Sequence, residues 1–194
     1  MEGTEWDEEV LRREASAHPG AALRRLTSRL YASDPDVKWR AVRALGRLAA
    51  TAGLLSEERL AGLLRRYFWS LNDESGAVPY GIPEAIGEVL ASRPALQRNF
   101  LPLLCSLAHQ EDVFQSGPIL EGVFWALGRI GPPAARCDPA AVAAMREAAR
   151  ARARAGKLRA APGPPAEQTG APDDARHERR HPPRPVAHAL KRKP

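Results

Sequence analysis

Glu84 and Glu88 stand four residues apart in Pro83-Glu84-Ala85-Ile86-Gly87-Glu88. On a helix that spacing puts both carboxylates on one face. A pair so held raises the question of an acidic ligand, metal or catalytic site. Asn72-Asp73-Glu74-Ser75-Gly76 lies just upstream and adds two more acids. Asp73 and Glu74 are candidate ligands for a hard cation, although calcium loops use a denser set of oxygens. The simpler expectation for this stretch is a turn. Asn72 would end a helix in the left-handed conformation, Asp73 and Ser75 would make side-chain turns, and Gly76 would tolerate positive φ. Trp39, Tyr80 and Trp125 are large side chains of the kind that anchor partners. Arg40 and Arg43, close to Trp39 in sequence, would make a cation–π or anion-binding corner. No Ser/His/Asp set, glycine-rich phosphate loop or His-Glu motif occurs, so no catalytic residue, cofactor or metal is assigned. Cys105, within Leu103-Leu104-Cys105-Ser106-Leu107, is expected to be a buried small hydrophobe. It and Cys137 have no spacing that suggests a disulfide framework or zinc knuckle. His109 is expected at a helix end, where a cation is favoured.

The elements that position these residues recur. Ala44-Leu45-Gly46-Arg47-Leu48, Ala85-Ile86-Gly87-Glu88-Val89 and Ala126-Leu127-Gly128-Arg129-Ile130 are matching segments spaced by 41 residues. A period near 40 is that of stacked helix pairs. Ala, Leu and Arg are abundant and aromatics scarce, which favours helix over strand. First helices are predicted at about 20–32, 57–71, 95–109 and 139–155, and second helices at about 36–50, 82–92 and 118–130. A further helix at about 5–16 would cap the start. Ser56 and Asp138 are suitable N-caps, and Pro83, Pro118 and Pro139 sit near helix starts, where a missing N–H costs little. Gly131-Pro132-Pro133 is read as a stop. Pro102 lies inside a predicted helix and is expected to kink it.

Asp36-Val37-Lys38-Trp39-Arg40-Ala41-Val42-Arg43-Ala44-Leu45-Gly46 resembles the second-helix signature of the HEAT-repeat family. The resemblance spans about residues 16–155 and implies an all-α fold: a short right-handed α-solenoid of antiparallel helix pairs. Asn72-Asp73-Glu74-Ser75-Gly76, with Pro83-Glu84 and Gly87-Glu88, is similar to a small bacterial HEAT family whose relatives include bilin-lyase-like proteins. In such solenoids the second helices line a concave, partner-binding face.

The period then sets like-numbered residues side by side on that face. Val37, Ala41, Ala44, Leu45 and Leu48 form the apolar stripe of the first unit, with Arg40, Arg43 and Arg47 pointing elsewhere. Equivalents of these arginines are Gly81, Glu84 and Glu88, then Gly122, Trp125 and Arg129. Another row is Trp39, Tyr80, Glu121. The row Arg47, Glu88, Arg129 alternates in sign and would make an inter-repeat ion-pair ladder. A ligand or metal site on Glu84 and Glu88 is the alternative.

Charge divides the chain. Residues 1–150 hold 18 Lys+Arg against 19 Asp+Glu, a net of −1, whereas residues 151–194 hold 11 against 4, a net of +7. A nucleic-acid groove would need a basic stripe on the folded part. A repeat domain over 1–158 and a disordered Pro/Arg-rich tail over 159–194 are therefore expected. Arg146, Arg150, Arg152, Arg154, Lys157 and Arg159 prolong the last helix as a basic strip. The tail is expected to make at most weak, salt-sensitive contacts with nucleic acid or acidic surfaces. The start is acidic, unlike a secretory signal, and no apolar run suits a membrane span, so a cytoplasmic location is expected. The expected function is a non-enzymatic scaffold that binds another protein on its concave face. A groove enzyme, lyase-like or DNA-glycosylase-like, and a tail-borne nucleic-acid role are the alternatives.

Overall fold

The structure, a computed structural model, describes residues 8–72, 79–109 and 117–160. Among them the chain forms nine helices and no strand: α1 (Glu8–Ala17), α2 (Pro19–Arg29), α3 (Pro35–Ala50), α4 (Glu57–Leu71), α5 (Ile82–Ser92), α6 (Pro94–Leu107), α7 (Gly117–Ile130), α8 (Pro132–Cys137) and α9 (Pro139–Ala160). No helix among these residues is long and apolar enough to cross a membrane.

Local chemistry sets the helix starts. Asp34 Oδ1 accepts the Asp36 N–H at 2.9 Å, Ser56 Oγ accepts that of Arg59 at 3.2 Å, and Asp138 Oδ1 accepts that of Ala141 at 2.9 Å. Each satisfies a backbone donor that a helix start would otherwise leave open. Pro19, Pro35, Pro83, Pro94 and Pro132 occupy the first or second helical position, where a ring-fixed φ is suited to helix. One expectation is extended here and one is corrected. Gly131-Pro132-Pro133 does end α7, but Gly131 turns at φ +74° and the prolines then open α8, which was not foreseen. Asn72 ends α4 at φ −103°, not in the left-handed region; its Nδ2 instead donates back to the Phe68 carbonyl at 3.0 Å. α6 runs uninterrupted from Pro94 to Leu107 through Pro102, whose exposed ring points away from the core.

α5 is the centre of the fold. It packs between α3 and α7, and α4 and α6 pack on it as well. Every residue from Gly81 to Leu90 except Glu88 is buried. Leu45, Leu64, Ile86, Leu104 and Leu127 are among the largest fully buried side chains, each stabilising by about 1.5–3 kcal/mol on burial. The repeated glycine has a specific use. A Cβ at Gly87 would lie 2.6 Å from Ala126 Cβ and 2.7 Å from its Cα, so only glycine lets α5 and α7 approach this closely. The periodicity reappears in the long-range hydrogen bonds. Tyr67 OH meets Thr27 Oγ1 at 2.9 Å, 40 residues away, and Arg93 Nη2 donates to the Thr51 carbonyl at 3.1 Å, 42 residues away.

Candidate functional site

The face shared by α3, α5 and α7 carries most of the singled-out residues. Near its aromatic end, Trp39 of α3 and Trp125 of α7 meet edge to face, with centroids 5.0 Å apart and planes at 63°. Lys38 Nζ lies 4.8 Å from the Trp39 ring centre, a cation–π contact. The same ammonium donates to Glu84 Oε1 at 2.9 Å. Glu84 is only 3% exposed, and its Oε2 has no hydrogen-bond partner. Burial raises its carboxyl above the ordinary value; the hydrogen bond and charge of Lys38 oppose that shift. Two glycines make room for the pair. A Cβ at Gly122 would lie 2.6 Å from Glu84 Oε2, and one at Gly81 would lie 2.8 Å from Lys38 Cγ.

Glu84 therefore departs from its expected row. It is paired with Lys38, not set beside Arg43, and it is enclosed instead of facing a groove. In the row Trp39, Tyr80, Glu121 each side chain has other surroundings. Trp39 reaches Trp125 instead, Tyr80 is half-buried at the end of α5, and Glu121 forms an ion pair with Arg152 of α9.

The alternating row is realised in part. Arg129 Nε and Nη2 donate to the two oxygens of Glu88 at 2.9 and 3.2 Å, across 41 residues. This two-point contact raises the Arg129 guanidinium above its ordinary value, the hydrogen bond contributing most. Arg47 turns away and pairs with Glu8 of α1 at 3.3 Å. Arg43, Gly46, Arg47, Ala50, Glu88, Ser92 and Arg129 nevertheless line one shallow cavity of about 270 Å³. Arg40 and Arg43 are exposed and make no ion pair among the described residues.

Asp73, Glu74 and Ser75 lie outside the described residues, as does the chain beyond Ala160 that was expected to form the basic tail. Among the described residues no cluster of three or more His, Cys, Asp or Glu side chains is arranged to hold a metal. Cys105 is buried as expected, and the fold brings Cys137 within interaction distance of it, a juxtaposition not legible in their spacing. Burial, then the adjoining Cys137, pushes the Cys105 thiol up to about 12. His109, just beyond α6, contacts Asp138 through Nε2 at 2.8 Å. Asp138 is held below the ordinary carboxylate range, chiefly by the Ala141 N–H and then by His109.

One feature was missed. Gly20, Leu23, Arg24, Thr27, Arg59, Gly62, Arg65 and Arg66 are among the residues lining a cleft of about 820 Å³ between α2 and α4. The available signal was Arg65-Arg66 followed by Trp69, set off the apolar stripe of α4.

Among the described residues the protein is all-helical, and three alternate helices, α3, α5 and α7, share a ring-and-ion-pair face. No protein-family model, curated protein or solved structure matches the chain.

Proposed function

We propose that the chain is a non-catalytic binding module, a short HEAT-like α-solenoid whose α3/α5/α7 face receives another protein. The observation that carries this is the Trp39–Trp125 contact beside two exposed arginines, Arg40 and Arg43, that have no ion-pair partner among the described residues. Aromatic and arginine side chains dominate the energetics of protein interfaces. The other charges on these helices are largely matched within the fold: Lys38 by Glu84, Arg129 by Glu88, Arg47 by Glu8. Glu84 is the strongest candidate for a groove enzyme, yet it is enclosed by Lys38 and Gly122, which fits a structural pair better than a reacting group. The 41-residue hydrogen bond between Arg129 and Glu88 supports the solenoid reading.

The test is affinity capture with the full chain and with Arg40→Glu/Arg43→Glu. Both positions are exposed, so the variant should fold. Partners recovered by the wild type should be lost with the variant while the melting temperature stays the same. Equal recovery from both would remove this face from consideration.

A further inference from the structure

We propose that the α2/α4 cleft, continued by a trough between α4 and α6, is a docking site for an acidic polypeptide segment bearing an apolar anchor. This surface is built from other helices than the α3/α5/α7 face and does not depend on it.

The cleft holds Arg24, Arg59, Arg65 and Arg66 against a single acid, Glu58. None of the four arginines has an ion-pair partner among the described residues. Lys38, Arg47, Arg129 and Arg152 are paired, and Arg40 and Arg43 are not; the cleft differs in gathering four such charges along one depression. Glycines bring the unpaired charges together. From the position a Cβ would take on Gly62, Arg65 Nη2 is 3.7 Å away and Arg66 Nη1 3.8 Å, so two guanidinium groups gather over one bare stretch of backbone. Arg24 Nη1 lies likewise 3.4 Å from the Cβ position of Gly20. Like charges so gathered repel, and a polyanion would relieve that repulsion.

The neighbouring trough has a volume of about 320 Å³ and is lined by Arg65, Phe68, Trp69, Leu103 and Leu107, among others. Arg65 lines both depressions, so the basic and apolar parts are continuous. Trp69 is 79% exposed and Leu103 48%, the most exposed large hydrophobic side chains among the described residues. An exposed tryptophan next to aliphatic side chains suits an apolar side chain of a peptide; single-stranded nucleic acid prefers aromatic platforms along a continuous basic track. The chain's own C-terminal region does not fit as the occupant, because residues 151–194 carry a net charge of +7.

The experiment is fluorescence anisotropy on the full chain. The probe is a labelled amphipathic peptide with Leu and Phe at i, i+3, i+4 and i+7 and Asp or Glu elsewhere. Saturable binding is expected, and Arg65→Glu/Arg66→Glu and Trp69→Ala should each weaken it by about tenfold or more. Arg40→Glu/Arg43→Glu should leave it unchanged, which separates this site from the α3/α5/α7 face. The three altered side chains in the cleft and trough are exposed, and a constant melting temperature checks that the variants fold. No binding, or equal affinity for wild type and both variants, overturns the proposal; the latter would place the peptide on the C-terminal basic region. Oligothymidylate that displaces the peptide and is itself lost with Arg65→Glu/Arg66→Glu would assign the cleft to nucleic acid and overturn it too. So would self-association of the protein that disappears with Trp69→Ala.

Discussion

Replacing Lys38 by Met would leave the Glu84 carboxylate buried with neither oxygen paired to a side chain. Glu84 is 3% exposed and its Oε2 already has no partner, so all of its side-chain compensation comes from the 2.9 Å contact with Lys38. Breaking a buried pair from one side costs about 3–5 kcal/mol. The Lys38 side chain retains 18% exposure, so water can enter and the lower end, about 3 kcal/mol, is expected. In a domain of this size that is about 6–12 °C in melting temperature. The pH dependence gives a second signature. A carboxyl raised in the folded state binds more protons there than in the unfolded chain. Its contribution is therefore most favourable below the unfolded carboxylate value and is lost as pH rises through the folded value. Removing Lys38 raises the folded value further, so the variant should recover part of its loss on acidification from pH 7 to about pH 5. Urea unfolding across that range measures both effects. Lys38→Met/Glu84→Met, which buries an apolar pair, should regain most of the stability. A single variant as stable as the wild type at neutral pH, or a double variant weaker than Lys38→Met, would refute the assignment of Glu84 as a buried charge held by Lys38.

Four other outcomes follow from the packing. Gly87→Ala should destabilise by about 1–3 kcal/mol in urea unfolding, because its Cβ would meet the Ala126 backbone. Gly46→Ala should cost less, since the nearest atom there is the movable end of Glu88. Tyr67→Phe should lose about 1 kcal/mol in the same assay: Thr27 Oγ1 donates to the Leu23 carbonyl, so the buried Tyr67 hydroxyl is the donor to Thr27. Ellman's reagent should titrate the exposed Cys137 in the native protein and reach Cys105 only on denaturation, because Cys105 is buried and its thiol is pushed up to about 12.

Helix positions were legible because caps and prolines are local signals. Ser56, Asp138 and Pro83 act within a turn of themselves, and α4 and α5 match their predicted spans. The repeat fixed which helices are neighbours and correctly joined Glu88 to Arg129. It could not fix how far a long side chain reaches along the stack. Lys38 spans 46 residues to Glu84, five more than the period, and takes the place expected for Arg43. Arg47 was misplaced for another reason: α1 stands outside the repeat, so the position of Glu8 had no register to reveal it. The α2/α4 cleft was not legible because it depends on the spacing of two helices and on side chains missing at Gly20 and Gly62.

The two ends of the α3/α5/α7 row are fastened by unlike means. One end is held by a tryptophan edge and a nearly dry ion pair. The other is held by Arg129–Glu88 and Arg47–Glu8, whose arginines are open to solvent. Added salt weakens solvent-exposed ion pairs and leaves ring contacts untouched. Ionic strength therefore weakens the fastening at the solvent-open end and leaves the ring contact at the other end as it is.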